Sequence, residues 1–208
     1  MQPKAIFLPG AGGDPDFWRP VGDLLPAASG KTYLGWPGLG DQPASDAVTG
    51  FADLVAMVHD AVGDGPADLL AQSMGGAVAL QAALDRPDRI RRIVLAATSG
   101  GVDVAALGGA DWRPDYRRAY PNARLSMLDT WPDLSARLPS VAQPVLLLWG
   151  DADPISPLAV AARLARLLPD TRLVTIPGGD HGFIAGRAVE AARPIRSHLH
   201  RAKKSGEA

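Results

Sequence analysis

The sequence predicts an α/β fold, a mostly parallel sheet of about six strands with helices on both faces. Two observations carry that expectation. Short β-branched and aliphatic runs alternate along the chain with segments whose apolar residues recur at helical spacing, the order produced when strands are joined by crossover helices. Several of those runs also end in turns rich in glycine, proline and aspartate, as strands do when they feed loops at one edge of a sheet.

The elements follow in chain order. Ala5-Ile6-Phe7-Leu8 forms the centre of a first strand at residues 4–9, and a second is predicted at 31–34. Phe51, Leu54, Val55, Val58 and Val62 then share one helical face before a third strand at 67–72. Strands are expected again at 90–97, 144–149 and 171–176. Between the last two, Leu158, Ala161, Leu164, Ala165 and Leu168 make a helical stripe, with Ser156-Pro157 supplying a cap and a first-turn proline. The final helix, from Ile184 to Leu199, is expected to bend or break at Pro194, where a backbone donor is missing. The polar tail from His200 to Ala208 is expected to fray.

One stretch interrupts the alternation. Residues 100–140 are rich in Gly, Pro, Asp and Arg, with Trp112, Tyr116, Tyr120 and Trp131 among them, and read as a short lid inserted in a single domain spanning 1–208. Loops of that length are either functional or disordered, and both readings stay open.

Bulk properties narrow the function. A formal net charge of −1 leaves no field of one sign to collect nucleic acid or an anionic membrane, so a small-molecule substrate is the expected partner. The absence of cysteine excludes disulfides, thiolate metal sites and a thiol nucleophile. Met1 to Lys4 run straight into the first strand without a cationic leader, and the apolar stretches are too short to span a bilayer, which favours a cytoplasmic monomer or homodimer.

The chemistry is concentrated at three strand ends. Leu69-Leu70-Ala71-Gln72-Ser73-Met74-Gly75-Gly76-Ala77 reads as a strand turning sharply into a small-residue helix, the pattern of a nucleophile elbow, Gly-x-Ser-x-Gly. Its first glycine is replaced by Ala71, which keeps the residue small where strand and helix backbones pass closely. A serine there needs a neighbouring base, and the base needs an orienting group. Downstream, Val145 to Gly150 leads into Asp151-Ala152-Asp153, and Thr171 to Ile176 leads into Asp180-His181-Gly182-Phe183. The set therefore follows the order Ser, Asp, His, with Asp151 and Asp153 competing for the acid and Asp103 a remoter candidate. His59, His198 and His200 lack the spacing and companions of a zinc site, and no metal or cofactor is expected. Gly10-Ala11-Gly12-Gly13 does not spell the Gly-x-Gly-x-x-Gly dinucleotide spacing. Trp18, Trp36, Trp112, Trp131 and Phe183 are candidates to line an apolar pocket, although each has packing as its simpler explanation.

Taken together these segments resemble the α/β-hydrolase superfamily over nearly the whole chain. The resemblance selects Asp153, three residues after the strand-end Gly150, as the acid, and His181 in the Gly-His turn as the base. Leu8-Pro9-Gly10-Ala11-Gly12-Gly13 is similar to the family's oxyanion loop, with Pro9 where histidine is common; the implied oxyanion donors are the N–H groups of Ala11 and Met74. Gly10 is placed by it beside the substrate, and Trp36-Pro37-Gly38-Leu39-Gly40-Asp41 resembles the Pro-Gly-x-Gly turn after another strand. The usual leading hairpin is expected to be reduced or absent, and the lid is short for the family. The activity implied is hydrolysis of an ester, thioester or lactone through an acyl-enzyme on Ser73. Acyl transfer, carbon–carbon cleavage, lyase chemistry, or ligand binding with little turnover stand as alternatives, because fold and site do not separate them.

Overall fold

The structure is a computed structural model that describes residues 3–26, 30–129 and 131–200, apart from the Leu125 side chain. In chain order the elements are β1 (Lys4–Leu8), α1 (Arg19–Gly22), β2 (Lys31–Tyr33), α2 (Phe51–Val62), β3 (Ala67–Gln72), α3 (Gly75–Asp85) and β4 (Ile90–Ala96). They continue with α4 (Arg113–Ala119), β5 (Val145–Gly150), α5 (Leu158–Leu167), β6 (Thr171–Ile176), α6 (Phe183–Gly186) and α7 (Ala188–His200), with short 3-10 turns between. The strands pair in the order β2-β1-β3-β4-β5-β6, every pairing parallel, so the predicted fold class is found.

Why a parallel sheet forms is visible in the strands themselves. β3, β4 and β5 are buried almost throughout, which only a sheet covered on both faces permits. Their side chains alternate between two cores. Leu69, Ile93, Leu147 and Trp149 face α2, α3 and α5 through Val58, Val78 and Leu164. Phe7, Leu70, Val94 and Leu148 face the other way, onto Trp18, Phe183, Ile184 and Ile195. Each such side chain contributes about 1.5–3 kcal/mol on burial, so the two cores fix the register of the strands. The edge strands are shorter or wetter: β2 is half-buried, and in β6 only Ile176 is buried.

The sequence places the chain between β1 and β3 at a point where the order reverses, since β2 lies on one side of β1 and β3 on the other. Ligands in open α/β sheets bind outside the carboxyl ends of the strands at such a reversal. The loops after β1 and β3 open there.

Two expectations are corrected. The last helix is not broken at Pro194, which lies inside α7; the interruption falls at Arg187, which caps α6. One missing N–H near mid-helix is tolerated because Ala191, Ala192 and Ile195 keep that turn packed in the second core. Ser156 does not cap α5: Pro157 occupies the cap position with no side-chain bond, and the Ser156 hydroxyl donates instead to the Thr98 carbonyl at 2.9 Å. His198, in the last turn of α7, is buried. The tail expected to fray lies, from residue 201, outside the described residues. No described helix is long and apolar enough to cross a membrane.

At the ends of β5 and β6 the backbones pass so closely that a Cβ on Gly150 would stand 2.1 Å from the Gly179 carbonyl oxygen. That approach draws the two loops after these strands together. Gly150→Ala is expected to destabilise the protein by about 1–3 kcal/mol through overpacking, read as a lower urea midpoint with an unchanged m-value.

Candidate active site

Ser73 follows β3 directly and has φ 52°, in the left-handed region that non-glycine residues avoid. The turn is held on both sides. The Ser73 N–H donates to the Ala96 carbonyl at 3.1 Å, and the Ser73 carbonyl accepts from Gly76 N–H at 3.1 Å and from the Thr98 hydroxyl. The serine hydroxyl is thereby lifted clear of the sheet edge at the start of α3.

His181 and Asp153 meet it from the loops after β6 and β5. The Ser73 Oγ lies 3.0 Å from His181 Nε2, and His181 Nδ1 lies 2.8 Å from Asp153 Oδ2. Asp153 is only 4 % exposed, and its other oxygen, Oδ1, accepts from the N–H groups of Ile155 at 2.8 Å and Ser156 at 3.0 Å. A buried carboxylate with both oxygens hydrogen-bonded is held in one orientation. The histidine loop has a tether of its own, since the Gln72 amide donates to the His181 carbonyl at 3.1 Å. The competing acids are occupied elsewhere. Asp151 is exposed and accepts from Gly178 N–H, Asp103 accepts from Ala106 N–H, and Asp180 accepts from Gly182 N–H.

The loop after β1 abuts this group: a Cβ on Gly10 would stand 2.3 Å from Gln72 Oε1 and 2.9 Å from the Ser73 Cβ. Its carbonyls are engaged one after another. Trp18 Nε1 donates to Leu8 at 2.9 Å, Trp36 Nε1 to Pro9 at 2.9 Å, Gly13 N–H to Gly10 at 3.0 Å, and the Tyr116 hydroxyl to Ala11 at 2.7 Å. In contrast, the N–H groups of Ala11 and Met74 donate to no protein acceptor among the described residues. Beside Ser73 the loop after β1 and the start of α3 thus leave N–H groups unspent while the loop's carbonyls are engaged.

A cavity of about 780 Å³ opens over Ser73 and His181, between the strand ends and residues 101–133. Met74, Val102, Trp112, Leu128, Trp131 and Ile155 supply its apolar lining. Among the described residues Asp103, Asp111, Asp129 and Asp133 also line it, against one arginine, Arg113, which is 3.7 Å from Asp111. The Ser135 hydroxyl and N–H hold the Asp133 carboxyl below the usual range, so it stays ionised near neutrality. Among the described residues no group of His, Asp or Glu is gathered for a metal ion.

The predicted residues thus divide. Ser73, His181, Asp153 and Met74 are brought together with Gly10 and Ala11 beside them, and Trp112 and Trp131 line the cavity. Trp36 and Phe183 do not. Trp36 is 0 % exposed in the first core with its ring nitrogen spent on Pro9, and Phe183 is 2 % exposed in the second core beside Trp18. Large rings on either side of a sheet gain more by closing a core than by standing in an open cleft. Sequence reasoning missed the roles of Gln72 and Tyr116. Gln72 could have been suspected from its place next to Ser73, whereas nothing in the lid's spacing singles out Tyr116.

A family model described as alpha/beta hydrolase fold matches residues 6–133, and one described as TAP-like protein matches 121–206. The chain belongs to the α/β-hydrolase fold family. Among solved structures, a thermophilic esterase from Thermogutta terrifontis superposes with a TM-score of 0.76 at 22 % identity, over 97 % of this chain and 92 % of that one. The pimeloyl-[acyl-carrier protein] methyl ester esterase of Neisseria meningitidis (serogroup C, strain FAM18) is 29 % identical over 94 % of this chain and 93 % of its own length. Polyketide synthase ThaQ of Burkholderia thailandensis is 28 % identical over 91 % of this chain, which spans only 11 % of that protein. In this chain Tyr116, in the segment that walls the cavity above the strand ends, bonds to the loop after β1.

The Tyr116 hydroxyl accepts from Gly40 N–H at 2.8 Å while donating to Ala11, and burial pushes its pKa up, so it keeps its proton at neutral and mildly alkaline pH. Tyr116→Phe leaves the Ala11 carbonyl and the Gly40 N–H without this partner. A loss of about 1–3 kcal/mol is expected in urea unfolding, with earlier proteolytic nicking in the 100–140 segment.

Proposed function

We propose that this chain is a serine hydrolase acting on esters, thioesters or lactones of small, partly apolar acids through an acyl-enzyme on Ser73. The observation that carries the reading is the unbroken hydrogen-bonded chain from Ser73 Oγ through His181 to Asp153 at the floor of the cavity. In this mechanism Ser73 Oγ attacks the carbonyl carbon while His181 Nε2 takes its proton. The Ala11 and Met74 N–H groups donate to the oxyanion, and Asp153 stabilises the imidazolium. The tetrahedral adduct collapses as His181 returns the proton to the departing alcohol or thiol. Water, deprotonated by the same imidazole, then attacks the acyl-enzyme, and collapse releases the acid and restores Ser73.

Cavity size and charge support a substrate class. About 780 Å³ falls within the range of sites for small molecules, and the Trp112, Trp131 and Leu128 lining suits an apolar acyl or aryl group. Four carboxylates against one ion-paired arginine favour neutral or cationic esters over those with a free carboxylate. The esterase names of the Neisseria and Thermogutta relatives agree with ester hydrolysis.

A fluorophosphonate probe is expected to label the folded protein at Ser73, with mass spectrometry locating the adduct and Ser73→Ala abolishing it. Folded protein that resists labelling would count against the nucleophile. Asp153→Asn should leave the fold intact and lower kcat on p-nitrophenyl esters by about 10⁴-fold, because the amide oxygen stays with the Ile155 and Ser156 N–H groups and its NH2 then faces His181 Nδ1, fixing the wrong imidazole tautomer. Among such esters, p-nitrophenyl butyrate should be cleaved with higher kcat/KM than the hemisuccinate, a preference that added salt narrows.

A further inference from the structure

We infer that Ser156 is a positioning residue for the proposed reaction, joining the loop that carries Asp153 to the turn that carries Ser73 through Thr98. The inference rests on the reading of Ser73, His181 and Asp153 given above, and it extends that reading to groups the sequence assigned to a helix cap.

Ser156 is 2 % exposed, and its three polar groups are all committed. Its N–H donates to Asp153 Oδ1 at 3.0 Å, its carbonyl accepts from Trp149 Nε1 at 2.7 Å, and its hydroxyl donates to the Thr98 carbonyl at 2.9 Å. Thr98, itself fully buried, donates its own hydroxyl to the Ser73 carbonyl and accepts from Gly100 N–H at 2.9 Å. The contacts therefore close a ring. From Ser73 Oγ it runs through His181 to Asp153 Oδ2, from Asp153 Oδ1 to Ser156, from Ser156 Oγ to Thr98, and from Thr98 Oγ1 back to the carbonyl of Ser73.

The geometry of the ring sets what Ser156 does. Asp153 and Ser73 stand on loops after β5 and β3, which are not neighbours in the sheet; β4 lies between them. Thr98 follows β4, so it is the element that can touch both. The bond from the Ser156 hydroxyl to the Thr98 carbonyl is the link that ties the acid's loop to that middle position. Without it the Asp153 carboxylate keeps its backbone donors, but its loop loses this anchor against the nucleophile turn. The imidazole between them would then sample poorer alignments, and a misplacement of about 1 Å at a reacting group costs on the order of 10²-fold in rate. Ser156 touches no reacting atom in this scheme. Its effect passes through Asp153 and His181.

The test is Ser156→Ala, compared with native protein, Ser73→Ala and Ser156→Thr. In the alanine variant kcat on p-nitrophenyl butyrate and the fluorophosphonate inactivation rate are expected to fall together by about tenfold, with KM within about twofold of native. The downfield proton resonance of the His181 Nδ1–H bonded to Asp153 should broaden through faster exchange with water. Ser156→Thr, which keeps a hydroxyl donor, should restore both rate and resonance. If Ser156→Ala does not fold, Ser156→Val, which fills the same space with no donor, carries the same readouts. A folded alanine or valine variant with native kcat overturns the inference, as does one whose rate falls while the resonance stays sharp. Failure of native protein to label at Ser73 is a different result, which removes the underlying reading of the site.

Discussion

The whole site depends on one residue held in an unfavourable backbone conformation. A serine at φ 52° costs on the order of 1–3 kcal/mol relative to an extended or helical residue, and it persists only because its surroundings leave no alternative. Those surroundings are specific: Ala96 on the neighbouring strand, Gly76 in the first turn of α3, and the Thr98 hydroxyl each bond to the Ser73 backbone. The strain raises the hydroxyl above the sheet edge and turns the chain at once into a helix. Both consequences suit the nucleophile proposed for Ser73, because the helix start leaves the Met74 N–H beside the oxygen that would gain charge in that reaction.

Around that turn the parallel sheet does the gathering. Since every strand runs the same way, the loops after β1, β3, β4, β5 and β6 all emerge at one edge, and residues far apart in the chain become neighbours without special connections. Gly150 and Gly179 allow two of those loops to meet at backbone distance, which puts Asp153 and His181 in contact. The β1 loop is fixed by donors from both cores and from the lid: Trp18 on one face, Trp36 on the other, Tyr116 above. The segment between β4 and β5 therefore does two things. It walls a cavity with Trp112 and Trp131, and through Tyr116 it holds the loop beneath.

Much of this was legible in the residues. The strand at 67–72 and the helix from Phe51 to Val62 coincide with observed elements because buried strands and amphipathic helices have different apolar periods. Ser73, Asp153 and His181 could be singled out because glycine-rich strand ends mark sharp turns, and the resemblance to a known fold chose between Asp151 and Asp153. What misled was local chemistry overridden by packing. Ser156-Pro157 looks like a cap, yet its hydroxyl finds a buried carbonyl; Pro194 looks like a break, yet α7 packs through it. Trp36 and Trp112 are indistinguishable as sequence, and one closes a core while the other lines a cavity.

By itself the sequence determined the alternation of strands and helices, the sharp turn at Ser73, and the strand ends on which Ser73, the Asp151/Asp153 pair and His181 are carried. These are local properties, set by side-chain size, periodicity and the few residues that tolerate tight turns. Tertiary structure alone decided which aromatics face the cavity and which hydroxyls tie one loop to another, and how the lid is fastened. Those outcomes turn on contacts between residues widely separated in the chain, and such contacts exist only once the sheet has brought its strand ends to a common edge.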